Sequence, residues 1–286
     1  MELSPIAEFH AKCAELINAA PRSHATHCFR SALHHLDRAE ALIQADPAMG
    51  IFRAITAEEE AASGILRCLM DLQYPGSNFL NPHDHAHKHA VFPFLKILGL
   101  FFGQILANQF KQYKLHIKEV DGETRLMLAL EVNVNSEQQL LYPIPPLHFG
   151  VNSIDSGDPP DYSHQINQFI KAKGMTSIKE FLKKEANLRN RLLYAGPDGY
   201  PVIKNAPQNI NFLAERRERV FVMIHLYLLL YPYKEHQLYV VQSLSAFVAM
   251  INQLKRKHCK DIAFDENIHK HNSNQPVHSD APKDGA

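Results

Sequence analysis

Apolar residues recur every three to four positions through most of this chain, and that period makes helix its dominant structure. Phe29, Ala32, Leu33, Leu36, Ala39 and Leu42 follow it, and so do Ile51, Ile55, Ala62, Ile65, Leu66 and Leu69. Ser4-Pro5 and Asp46-Pro47 supply a capping side chain followed by proline at the first helical position, where the missing N–H costs nothing. The pattern predicts helices over about 5–20, 25–45, 47–74 and 82–109, the last bent at Pro93. Further helices are expected over about 161–173, 176–194, 208–230 and 236–258.

One stretch breaks the pattern. Tyr113, Leu115 and Ile117 alternate with polar residues, and after Asp121-Gly122 so do Leu126, Leu128, Leu130, Val132 and Val134. Period two around Asp-Gly predicts a β-hairpin. A proline-rich loop follows, from Tyr142 to Pro160. The expected fold is therefore mainly α: a helical bundle with an inserted β-hairpin and a disordered C-terminal tail. Residues 1–112 form an N-terminal helical region, 113–160 the insertion and 161–262 the helices that complete the bundle. Residues 263–286, polar and nearly without apolar side chains, form the tail.

Thirty basic and thirty acidic side chains balance, so net charge gives no general attraction to nucleic acid or membrane. The four cysteines, Cys13, Cys28, Cys68 and Cys259, make no close pair, which excludes a disulfide scaffold and points to a reducing compartment. Met1 to Pro5 has no secretory character. The apolar runs 90–107 and 220–231 are interrupted or too short to span a bilayer of roughly 30 Å. A soluble, cytoplasmic protein without membrane association is expected.

Four constellations could carry chemistry. Glu58-Glu59-Glu60 lie within a helix, about 100° apart, so one or two of them can face a cleft. In His83-Asp84-His85-Ala86-His87-Lys88-His89, helical spacing pairs His83 with His87 and His85 with His89, on faces about 160° apart. A metal site built on His83, His85 and His87 with Glu58 or Glu59 is one reading, and a surface histidine cluster, or a helix cap that interacts with phosphate, is the other. The segment 171–191 is basic, with Lys179, Lys183, Lys184, Arg189 and Arg191 facing few acids. It suits RNA phosphates or forms a solvated face with pairs such as Glu185–Arg189. Arg189, Asn190 and Tyr194 at its end combine a phosphate-gripping guanidinium, an amide and a phenol. Finally, Arg219 and His225 flank an apolar segment in which a lone histidine more often packs in the core. The phosphate-loop, dinucleotide and serine-hydrolase signatures are absent.

Ala32, Leu36, Ala39 and Leu42, followed by Ala54, Ala57-Glu58-Glu59 and Ala61 and then by His87-Lys88, resemble the helical pattern of the HEPN superfamily, in particular its AbiV-like abortive-infection members. That family carries an arginine and a histidine separated by four to six residues. Arg189-Asn190 matches its start with Tyr194 in the histidine's place, and Arg219–His225 and Arg30–His35 match its spacing. The resemblance implies a bundle that dimerises and cleaves RNA without metal or other cofactor, in phage defence or a toxin–antitoxin setting. Arg189 and Asn190 would contact phosphate and Tyr194 would orient it. Arg219 with His225 as acid/base is the alternative pair, and Glu58 and Glu59 would hold arginines. Tyr194 in place of histidine favours a second reading, a non-catalytic module that binds RNA or a protein partner such as an antitoxin. A histidine-rich metal-dependent enzyme is the third.

Overall fold

A computed structural model describes residues 4–109, 113–134, 137–194, 199, 203 and 207–252. The fold is mainly α with one small antiparallel sheet. Helices α1 (Pro5–Ala19), α2 (His24–Leu42), α3 (Pro47–Asp71) and α4 (His85–Gln109) precede strands β1 (Tyr113–Val120), β2 (Glu123–Val134) and β3 (Glu137–Leu141). Helices α5 (Ser163–Ala172), α6 (Ile178–Leu193) and α7 (Pro207–Leu230) follow. Residues 238–252 are helical again (α8). Met1–Val248 form one compact unit. Of the residues beyond it, 249–252 are described. The tail expected over 263–286, Cys259 and most of the break after Tyr194 lie outside the described residues.

The helix starts follow their caps. Ser4, Ser23, Asp46 and Ser177 each accept a backbone N–H from three residues on, which satisfies one donor that the helix itself cannot. Helix α4 begins at His85, three residues later than Pro82, because the Asp84 carboxylate accepts the Ala86 N–H at 2.8 Å. The helix then runs through Pro93 without ending.

Helix α3 is the axis of the bundle and packs chiefly against α2 and α7. Its small residues permit this. A Cβ on Gly64 would come within 2.6 Å of the Phe29 ring on α2. Phe29 is itself fully buried, with its ring 4.6 Å from that of Tyr227 on α7. The Thr26 and Tyr227 hydroxyls bond at 2.7 Å in the same interior. Ala39, Ile43, Ile51, Ala54, Ile55 and Leu213 continue the core, with Leu188 and Leu192 of α6 against it. Each large apolar side chain so buried contributes about 1.5–3 kcal/mol.

The hairpin turns at Asp121-Gly122, where both residues have positive φ (53° and 77°), as a two-residue type I′ turn requires. Val120 therefore pairs with Glu123, and the register runs back to Tyr113 opposite Leu130. The sheet has three strands in the order β1-β2-β3, one more than the alternation pattern predicts. All five residues of β3 are exposed, so burial never selected an alternating sequence there. Leu126 to Leu130 of the central strand are buried without interruption, Met127 and Ala129 included.

Candidate functional site

Two carboxylates in the middle of α3 decide the chemistry of the interior. Glu58 and Glu59 are only 6% and 5% exposed, and a carboxylate withdrawn from water that far needs cations or donors around it. Being adjacent on a helix, the two point about 100° apart and meet different neighbours.

Glu58 faces α7. Its Oε2 receives a hydrogen bond from Arg216 Nη1 and lies 3.3 Å from Arg219 Nη1. Glu185 of α6 completes the group, with its Oε2 2.7 Å from Arg216 Nη2 and 3.3 Å from Arg219 Nη1. Burial pushes the Glu185 carboxyl up, but the Arg216 and Arg219 charges outweigh it, and the net shift is downward. The guanidiniums of Arg216 and Arg219 also lie over the rings of Phe212 and Phe92, at 4.7 and 4.9 Å. Two negative and two positive charges cancel here, and each has its partner. This quartet clamps α3, α6 and α7 together.

Glu59 faces α4 and the last turns of α6. His85 and His89, one helical turn apart, place Nδ1 and Nε2 at 3.5 and 3.3 Å from Glu59 Oε1. Lys88 Nζ and Arg189 Nη1 approach Oε2 at 3.4 and 3.3 Å. Burial alone would raise the Glu59 carboxyl. The close approach of His89 to Oε1, with the charges of Lys88 and Arg189, prevails and holds it at about 2. His85 is displaced below its ordinary value, first by burial and against the pull of Glu59, with Lys88, Arg189 and His89 adding to the displacement. Counting Glu59, Lys88 and Arg189 alone, one negative and two positive charges leave a net +1. The His85 side chain is 52% exposed and that of Arg189 30%, so the cluster opens to solvent on that side.

This arrangement can do two things. It can take an anion against Lys88 and Arg189 with an uncharged imidazole beside it. It can also offer Glu59, His85 and His89 as three ligand atoms within 4.8 Å of one another, a donor set that suits zinc.

The other residues nominated by the sequence fall in separate places. His83 lies by Arg67, at 3.4 Å, and His87 accepts the Asn81 N–H at 3.2 Å with Asp84 opposite, so neither joins His85. Asn190 and Tyr194 are exposed at the end of α6, Tyr194 by 67%, with the Tyr194 N–H bonded to the Asn190 carbonyl. Lys183, Lys184 and Arg191 are exposed, and Lys179 is half-buried. Arg219 belongs to the Glu58 quartet. His225, six residues on, lies among Phe9, His10 and Phe221 instead. Glu185 and Arg189 do not pair along their helix; each reaches across to another.

The sequence assigns no catalytic or ligand role to Lys88, His89, Glu185 or Arg216. The His85–His89 spacing and the basic residues at the start of an apolar helix were the available signals. Comparison with family models, curated proteins and solved structures finds no match to this chain.

Proposed function

We propose that this chain is a HEPN-like protein that acts on RNA, with the Glu59 cluster as its reactive site. The observation that carries this reading is the net positive charge around a buried carboxylate, two imidazoles and a solvent-facing arginine. A phosphodiester fits such a site better than a cation does. Arg189 and Lys88 would take the charge that develops on the phosphoryl oxygens. His85, uncharged near neutrality, would accept the proton of the ribose 2′-hydroxyl as its oxygen attacks phosphorus. The bond to the 5′-oxygen breaks, and an imidazolium of the pair returns a proton to it, leaving a cyclic phosphate. Glu59 orients both rings. Exposed Lys183, Lys184 and Arg191 would guide the strand along α6.

The three convergent ligand atoms favour a second reading, a metal-dependent enzyme on Glu59, His85 and His89. Lys88 and Arg189 beside the carboxylate oppose it, since a divalent ion would add charge of the same sign.

RNA cleavage in EDTA separates the readings. Wild type should leave cyclic-phosphate ends, and His85→Ala and Arg189→Ala should abolish them. Activity that appears only with added zinc supports the metal reading. Intact RNA under both conditions, with salt-dependent binding retained, leaves a binding module.

A further inference from the structure

Away from the carboxylates, an apolar cavity of about 370 Å³ lies between α3, α4, α7, α8 and the β1–β2 hairpin. Leu66, Leu95, Leu128, Leu226 and Phe247 are typical of its wall. That volume is within the range of small-molecule sites, roughly 300–1,000 Å³. A benzene-sized ligand fills an engineered cavity of about 150 Å³, so this one has room for about fifteen non-hydrogen atoms. Among the described residues no Lys, Arg, Asp or Glu lines it.

Polar groups reach it only in a few places. Tyr239 and Ser243, on successive turns of α8, are 5% and 7% exposed, and both line the cavity. The Tyr162 hydroxyl lies next to both. None of the three hydroxyls makes a hydrogen bond of good geometry. His225 Nε2, also on the wall, is buried and equally without a partner. Buried polar groups without well-formed hydrogen bonds are costly, and a ligand head group would recover part of that cost.

We propose that this cavity binds a neutral, single-chain aliphatic molecule whose hydrogen-bonding head sits at Tyr239 and Ser243. The neutral head follows from the wall. An ionised carboxylate would be buried without a cation. His225, the one basic side chain among the described residues of the wall, has its pKa lowered to about 4, by burial first and by His10 second.

Gly99 provides the test. It lines the cavity at an exposed position, and a Cβ built on it meets nothing within 4 Å, so there is room to start a larger side chain at the cavity's edge. The full-length protein is titrated with N-phenylnaphthylamine, a neutral fluorophore, and then with dodecanol or dodecanoate at pH 8. Saturable one-site fluorescence is expected, displaced by dodecanol and about tenfold less well by dodecanoate. Gly99→Leu should weaken probe binding about tenfold or more with an unchanged or higher melting temperature. Tyr239→Phe with Ser243→Ala should weaken dodecanol several-fold and the probe little. Absence of saturable binding, or undiminished binding in folded Gly99→Leu, overturns the cavity as a site. Equal displacement by dodecanoate overturns the neutral ligand, and an unaffected dodecanol affinity in the double variant overturns the head-group position.

Discussion

Glu58 and Glu59, adjacent on α3 and both buried, have different direct ion-pair partners. Glu58 belongs to a neutral, internally matched quartet. Glu59 belongs to a cluster with excess positive charge and an open side. The first arrangement fixes helices, and the second leaves a charge for something else to neutralise.

The quartet makes a stability prediction. Glu58→Gln leaves Arg216, 3% exposed, with Glu185 as its remaining carboxylate. Breaking a buried pair from one side costs about 3–5 kcal/mol, a fall in melting temperature on the order of 10 °C. Adding Arg216→Met to Glu58→Gln removes the stranded cation and should recover part of the loss. Thermal denaturation of the two variants checks this; a double variant no more stable than the single one would show that the ion pair itself is not the source of the cost.

The α2–α3 contact makes another. Gly64→Ala brings a methyl group against the fully buried Phe29 ring, which also packs on the ring of Tyr227. The ring or the helices must shift. Overpacking of this kind costs about 1–3 kcal/mol, despite alanine's better helix propensity. Urea denaturation should give a lower midpoint for Gly64→Ala, with Gly64→Ala/Phe29→Leu closer to wild type. A midpoint above wild type would mean that the contact yields.

His225 makes stability depend on pH. Burial, then His10, lowers its folded value from 6.5 to about 4. As pH falls, the unfolded chain takes this proton first. The contribution of the neutral ring is therefore complete above about 6.5 and lost progressively towards 4. Between pH 7 and 5 wild type should lose more unfolding free energy than His225→Leu, compared as slopes so that the packing change cancels. Parallel slopes would remove His225 as the cause.

Much of this was legible in the sequence because it is local. Caps such as Asp46-Pro47 and the Asp121-Gly122 turn act within a few residues, and period alone separates α2 and α3 from the hairpin. Strand β3 was not legible, since Glu137 to Leu141 bury nothing and pair through backbone. Nor was the division of labour between Glu58 and Glu59. Adjacent identical residues differ only in which helices arrive beside them, and Arg189 and Arg216 come from far along the chain. The Glu185–Arg189 spacing even suggested a pair that tertiary contacts override.

That division can be tested with one arginine from each set. Arg189 and Arg216 both bind a glutamate of α3, yet the Arg189 side chain is 30% exposed and that of Arg216 is 3%. Arg189→Ala leaves Glu59 with Lys88, His85 and His89, so water and the remaining cation can absorb the change, and the melting temperature should fall by only a few degrees. Removing a group that stabilises transition-state charge costs on the order of 100-fold or more in rate, so RNA cleavage should collapse. Arg216→Ala should do the reverse in kind: it strands Glu58 and Glu185 beside Arg219 and lowers stability by several kcal/mol, on the order of 3–5. Below its own melting temperature, the surviving folded protein should cleave RNA at a rate near wild type. Equal loss of activity in both variants at matched folded fraction would merge the two carboxylate sets into one site and end the distinction between clamp and reactive cluster.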